Sequence, residues 1–189
     1  FFTKYWKWMV AAAFVGVLVV ALNLIGDSEV EKLALTSINV TEHLASVDVI
    51  RTKEPDLTEA EVLLNAGFKA AVSGRTSHAL QSFERITGNY ASDVPTVSQA
   101  YYNIGILHYN SGNFTEAAAS FIQALERREG DTVFEEETRW FLAHTYLQLN
   151  QAKQARKELE QVYSMDGMYR RQASNMLEKL NAEQTERGE

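Results

Sequence analysis

The sequence predicts an all-α protein, with one N-terminal transmembrane helix, an α-solenoid of about three stacked helix pairs and a C-terminal capping helix. The apolar run 8–25 is long enough to cross a bilayer, which takes roughly 17–25 residues in a helix. From Leu57 onward the apolar spacing is helical, and its pattern recurs every 38 residues. Pro55 and Pro95 both lie outside the strongly periodic segments, so long helices are expected.

Residues 1–26 are predicted to anchor the chain in a membrane, with lipid contact through residues 5–25. Aromatic side chains typical of a bilayer interface stand at the start of the run: Tyr5, Trp6 and Trp8. Lys4 and Lys7 precede the run and acidic residues follow it, so the positive-inside rule places the N-terminus in the cytoplasm. A cleaved signal peptide would have a shorter apolar region, of about 7–15 residues, and a small-x-small site that this run lacks. A buried helix of a soluble domain is the other alternative.

Residues 27–57 are predicted to be a connector. Their apolar positions mix periods near 2 and near 3.6, so strand and helix both remain open. We expect a helix that leaves the membrane and ends at about Ser37, followed by a mixed or extended segment. This segment is expected to pack on the repeats or on a partner, and the break at residues 53–56 precedes the repeats.

Three windows that begin at Ala60, Ser98 and Glu136 align with one another. Small residues stand where two antiparallel helices would cross: Gly67, Gly105 and Ala143, with Ala79, Ala117 and Ala155. A large apolar residue follows at one later place: Phe83, Phe121 and Leu159. The turn of each pair holds a residue suited to the left-handed conformation: Gly74, Gly112 and Asn150. Each pair has too little core alone, so the pairs are expected to stack.

Capping boxes are predicted to begin helices at Thr58, Thr96 and Thr132. The repeat domain is placed at 58–183, with units at about 60–93, 98–131 and 136–167, a polar-faced cap at 168–183 and a tail at 184–189.

The second unit resembles the tetratricopeptide repeat family nearly place for place. The resemblance is carried by residues 100–109, AYYNIGILHY, and then by Gly112, Asn113, Phe114, Ala117, Phe121 and Ala124. It extends over about 60–183. The family's usual period is 34, and we expect the extra residues in longer turns between units, at 88–95 and 128–132. A single span before such an array is architecturally similar to YfgM-type envelope proteins, which implies a bacterial inner-membrane anchor with the repeats in the periplasm.

The resemblance implies a module that binds proteins. We expect an accessory or scaffold subunit of a larger membrane complex. The alternatives are a membrane-bound signalling or regulatory protein with a cytoplasmic domain before Phe1, and a chaperone-like envelope assembly factor. An enzyme is disfavoured, because HExxH, GxSxG and a Gly-rich phosphate loop are absent from the sequence, as is cysteine. No cofactor, metal or small-molecule substrate is expected, and the net charge of −7 argues against nucleic acid.

By the same resemblance, the first helix of each pair lines a concave groove that holds the partner. The candidate groove residues are Asn65, Tyr102, Asn103, Tyr109, Trp140 and His144. Aromatic residues dominate binding hot spots, and the two Asn residues match a place where the family holds a peptide backbone. Further groove places are Leu64, Phe68, Ile106, Asn110 and Gln148; packing between units is about equally expected for Leu64, Phe68 and Ile106. These places carry no Lys or Arg, so we expect an apolar or basic partner segment rather than an acidic chaperone tail.

Overall fold

The computed structural model describes residues 32–44, 57–127 and 130–187, with side chains to residue 182. All the regular structure in these ranges is helical, which confirms the predicted all-α class. The helices are α1 (Val40–His43), α2 (Glu59–Val72), α3 (Thr76–Asn89), α4 (Val94–Asn110), α5 (Phe114–Arg127), α6 (Thr132–Gln148), α7 (Ala152–Ser164) and α8 (Arg170–Arg187).

The predicted membrane anchor, residues 1–26, lies outside the described residues. Of the helices in the described ranges, none is long and apolar enough to cross a bilayer.

The helices pack as successive pairs. Each first helix lies against its own second helix in the pairs α2–α3, α4–α5 and α6–α7, and the pairs contact one another through α3–α4 and α5–α6. The final helix, α8, packs on α7. This is the stacked order of the predicted solenoid, in which each pair buries its apolar face against the next.

The two helices of a pair do approach each other closely at the predicted glycine positions. A Cβ added to Gly105 would stand 2.7 Å from the ring of Phe121, and one added to Gly67 would overlap the ring of Phe83. Both rings are fully buried. A glycine on the first helix therefore makes room for the phenylalanine of the second helix of the same pair.

The predicted left-handed conformation of the turn residue is confirmed in each pair. Gly74, Gly112 and Asn150 have φ values of 73°, 76° and 55°. Glycine adopts this left-handed conformation without strain, and Asn is the residue that tolerates it next best. The repeated turn residue thus sets the tight reversal within each pair.

The helix starts agree with the sequence in one case of three. Thr58 caps α2 through a complete capping box with Glu61, as predicted. The boxes predicted at Thr96 and Thr132 are wrong, because Asp93 and Asp131 are the N-caps of α4 and α6. Their carboxylates accept from the backbone N–H groups of the third residues of these helices, at 3.3 Å and 3.1 Å. Asp93 lies three residues before Thr96 and Asp131 one residue before Thr132, so both helices start earlier than predicted, and Pro95 lies in the first turn of α4.

Because α4 and α6 begin earlier than predicted, some of the extra residues of the 38-residue repeat lie elsewhere than in the turns. The windows were drawn from Ser98 and Glu136, but α4 and α6 begin four residues earlier, at Val94 and Thr132. Only Tyr90–Asp93 separate α3 from α4. Part of the extra length is therefore taken up in first helices of 17 residues rather than in the turns.

The connector differs from its prediction. A helix to about Ser37 is wrong for residues 33–37, which form a turn, a bend and irregular backbone. Within residues 33–44 the one full turn of helix is α1, capped by Asn39. The segment packs on the repeats, one of the two placements expected from the sequence. Side chains of the array form hydrogen bonds with the main-chain groups of Leu35 and Ile38. These bonds take the place of the main-chain hydrogen bonds that a continuing helix would make.

The last helix is held by α6. The ring of Trp140 stacks on that of Tyr169, with centroids 5.1 Å apart. The buried carboxylate of Glu136 accepts from the backbone N–H groups of Met168, at 3.0 Å, and Tyr169, at 2.8 Å. A side chain at position 167 would overlap that carboxylate, which explains a glycine there. α8 continues to Arg187, beyond the predicted end of the cap at residue 183.

Candidate peptide-binding groove

The C-terminal end of α4 and the part of α6 from Glu137 onward hold residues 33–44, which we call the docked segment. We call the surface that holds it the groove; it consists of Tyr109, Asn110, Glu137, Phe141, His144 and Gln148. These residues belong to the first helices of the second and third pairs. The docked segment lies 72 to 113 residues away in sequence from its hydrogen-bond partners in the groove near Leu35 and Ile38.

Three groove side chains form hydrogen bonds with the main chain of Leu35. The hydroxyl of Tyr109 and the amide of Gln148, at 2.9 Å, both donate to the Leu35 carbonyl oxygen. The Leu35 N–H donates to Nδ1 of His144 at 3.1 Å. Both polar groups of one peptide residue are therefore satisfied by the groove.

Ile38 is held by a single side chain. The amide of Asn110 accepts from the Ile38 N–H at 2.7 Å and donates to the Ile38 carbonyl oxygen at 2.8 Å. The side chain of Ile38 is only 3% exposed. The groove thus combines a main-chain clamp with burial of one aliphatic side chain.

His43 closes the segment at its other end. Its Nδ1 lies 2.7 Å from a carboxylate oxygen of Glu137, and its ring meets Phe141 edge-on, with centroids 5.0 Å apart. Leu44 beside it is buried. A carboxylate on the groove at this point favours a basic group in whatever segment lies there.

The groove side chains that hold Leu35 are uncharged near neutral pH. Burial lowers the pKa of His144 to about 4. Burial raises the pKa of Tyr109 to about 12, against the lowering effect of the hydrogen bond with Gln148. His144 must then carry its proton on Nε2, because Nδ1 accepts from Leu35. A neutral imidazole acceptor and a phenol donor suit the N–H and C=O of a peptide.

The six candidate residues fall into separate environments. Tyr109 and His144 form hydrogen bonds with Leu35 of the docked segment. Trp140 packs edge-on against His144, with centroids 4.4 Å apart, and supports the groove from the side of α8. Asn103 is fully buried in α4, and Asn65 is half-buried in α2.

Tyr102 lies in the core rather than on an open surface. It is 1% exposed, with its ring among those of Phe121, Phe134 and Phe141. Burial is also the main reason why the pKa of its hydroxyl is raised. Because its side chain is almost completely buried, Tyr102 has a packing role in the described structure.

Sequence reasoning did not single out three features. Asn110 and Gln148 were predicted as further groove places, behind the aromatic residues, although they make three of the five hydrogen bonds to Leu35 and Ile38. Glu136 appears in the sequence analysis only as the first residue of the third window. Its burial follows from the docking of α8, which no local pattern encodes. In the described ranges, no group of three or more His, Cys, Asp or Glu side chains is placed to hold a metal ion.

Comparison with known proteins agrees with this architecture. Residues 96–166, which span most of the second and third pairs, match the family model described as tetratricopeptide repeat. Searches of curated proteins and of solved structures found no match.

Proposed function

We propose that this protein is a membrane-anchored protein-interaction module that serves as an accessory or scaffold subunit of a larger membrane complex. The observation that carries the binding role is the clamp on Leu35 and Ile38. In this clamp, side chains of the first helices of the second and third pairs form hydrogen bonds with the main chain of another segment of the same chain.

Two further features support a peptide as the ligand class. Tyr109, Asn110 and Gln148 offer donors to carbonyl groups, while Asn110 and His144 offer acceptors to N–H groups. Alternating donors and acceptors match an extended backbone, and the burial of Ile38 adds apolar area at about 25 cal/mol per Å².

The membrane anchor rests on the apolar run 8–25, with the aromatic residues and the two lysines at its start. We place the repeats in the periplasm of a bacterial cell on the same charge rule. An alkaline wash of membranes tests the anchor: the full chain should stay in the pellet, and release into the supernatant would contradict it. Protease added to intact spheroplasts should digest the repeats, whereas protection of the repeats would contradict the orientation.

A photo-crosslinking experiment tests the binding role. A photoreactive residue replaces Gln148 in the groove, or Gln154 on the exposed face of α7 as the matched control. After purification in mild detergent, a partner should crosslink through position 148 and not through position 154. Recovery of free monomer alone, or equal crosslinking at both positions, would contradict binding in the groove.

A further inference from the structure

The hydrogen bonds between the groove and residues Leu35 and Ile38 involve only main-chain atoms of these two residues. All of them end on backbone N–H or C=O groups of the segment. Such groups are present in every peptide, so this recognition does not require the native sequence. Another extended segment with an aliphatic side chain at the Ile38 place can satisfy the same donors and acceptors.

The docked segment has a small apolar anchorage of its own. Ile38 and Leu44 are its only fully buried side chains. Four more apolar residues are half-buried against the core: Leu33, Ala34, Leu35 and Val40. The remaining positions Thr36, Ser37, Asn39, Thr41 and Glu42 are exposed. Its regular structure is one turn of helix. Elements with few buried apolar contacts open locally at a lower free energy than the core, so this segment can leave the groove without unfolding the array.

The groove also indicates the chemistry of a replacement. Glu137 faces His43 at 2.7 Å, at the end of the segment away from Leu35. A Lys or Arg at that place would pair with the same carboxylate at any physiological pH, whereas His pairs as an ion only when protonated. A partner segment with an aliphatic residue and, five places on, a basic residue would therefore fit the groove better than the native segment.

We propose that residues 33–44 are a tethered occupant of the groove, and that a partner's segment with an aliphatic residue and, one turn of helix later, a basic residue displaces them. This inference rests on the proposed binding role of the groove. Tethering gives the native segment an effective concentration on the order of millimolar, so a free ligand competes at a disadvantage that release of the tethered segment removes.

The test uses the full chain in detergent and a labelled peptide with the sequence of residues 33–44, with His43 changed to Arg. Ile38→Asp in the chain places a charge in the apolar site and should expel the native segment. The peptide should then bind more than about tenfold tighter than to the unchanged chain. The matched control is Thr36→Asp, which adds the same charge at an exposed place and should leave the peptide affinity unchanged.

Asn110→Ala tests where the peptide binds. Added to the Ile38→Asp chain, it removes two hydrogen bonds and should weaken peptide binding about tenfold or more. No gain of affinity in a folded Ile38→Asp chain would overturn the proposal, and so would a gain that Asn110→Ala does not reduce. A dimer of the unchanged chain that Ile38→Asp dissolves would also overturn it, because the competing occupant would then be a second copy.

Hydrogen exchange of the unchanged chain covers the case in which Ile38→Asp fails to fold. The amides of Leu35 and Ile38 should exchange through an opening of much lower free energy than that of Leu107 in α4. Equal free energies would show a fixed part of the fold and overturn the inference. A partner crosslinked through position 148 in that same protein would leave the binding role standing, so the two failures can be told apart.

Discussion

The carboxylate of Glu136 on α6 accepts a hydrogen bond from the main-chain N–H of Tyr169, 2.8 Å away, just before α8 begins. The third pair and the final helix are therefore joined by a buried polar contact as well as by the stack of Trp140 on Tyr169.

Glu136→Ala should lower the free energy of unfolding by about 1–3 kcal/mol, because it leaves the N–H groups of Met168 and Tyr169 without their acceptor. Urea unfolding measures this change. Glu160→Ala, at an exposed place on α7, is the control and should change stability by less than about 0.5 kcal/mol. Equal effects of the two substitutions would show that the contact does not hold α8.

Gly105→Ala should destabilise the array by about 1–3 kcal/mol, since the added Cβ would lie 2.7 Å from the buried ring of Phe121. Gly88→Ala near the end of α3 is the matched control, because an added Cβ there has no neighbour within 4 Å among the described residues. It should be neutral or stabilise the helix by up to about 1 kcal/mol. Thermal unfolding followed by circular dichroism compares the two, and a tolerated Gly105→Ala would count against the close crossing.

Removal of the hydroxyl group should affect the docked segment at one of two tyrosines and not at the other. Tyr109→Phe removes the donor to the Leu35 carbonyl, so the Ile38 amide should exchange about two- to tenfold faster. Tyr102→Phe should leave that exchange unchanged and be neutral or slightly stabilising. Its buried hydroxyl makes no well-aligned hydrogen bond among the described residues, although Glu137 lies close enough to add to the effect of burial in raising its pKa. Hydrogen exchange and urea unfolding test both substitutions. Faster exchange in Tyr102→Phe would return this residue to the groove.

Stability should fall with pH in the range set by His144. Burial lowers its pKa to about 4, below the ordinary value of 6.5, so the unfolded chain binds the proton more tightly than the folded one. This contribution is therefore full above about pH 6.5 and is lost as the pH falls towards 4, by on the order of 3 kcal/mol.

His144→Gln isolates this term, because the other ionisable groups remain in both proteins. The difference in unfolding free energy between the two proteins should shrink as the pH falls from 7 to 4. Parallel pH profiles would show that His144 does not titrate in this way.

The repeat architecture was predictable because its signals are local. The left-handed turns at Gly74, Gly112 and Asn150, and the small residues opposite Phe83 and Phe121, follow from neighbouring residues along one helix pair. Their recurrence at a fixed interval makes each weak signal stronger. The helix starts were less predictable, because an Asp at 93 or 131 and a Thr shortly after it both suit an N-cap.

The position of the docked segment was not predictable from its own residues. Its mixed periodicity reflects two buried side chains, Ile38 and Leu44, whose spacing is set by the groove rather than by a helix or a strand. The hydrogen bonds of Leu35 come from residues 74, 109 and 113 places away. Aromatic residues were favoured over Asn110 and Gln148 because hot-spot reasoning weighs buried area, whereas this groove binds main chain.

The side-chain amide of Asn110 restricts which residue type can lie at the Ile38 place in the groove. It needs an N–H and a C=O on the same residue, which nineteen of the twenty amino acids provide and proline does not. At this place the groove selects by exclusion: it rejects one residue type and is indifferent to the rest of the hydrogen-bonding pattern. Discrimination among the remaining segments is left to the aliphatic site of Ile38 and to the charge of Glu137.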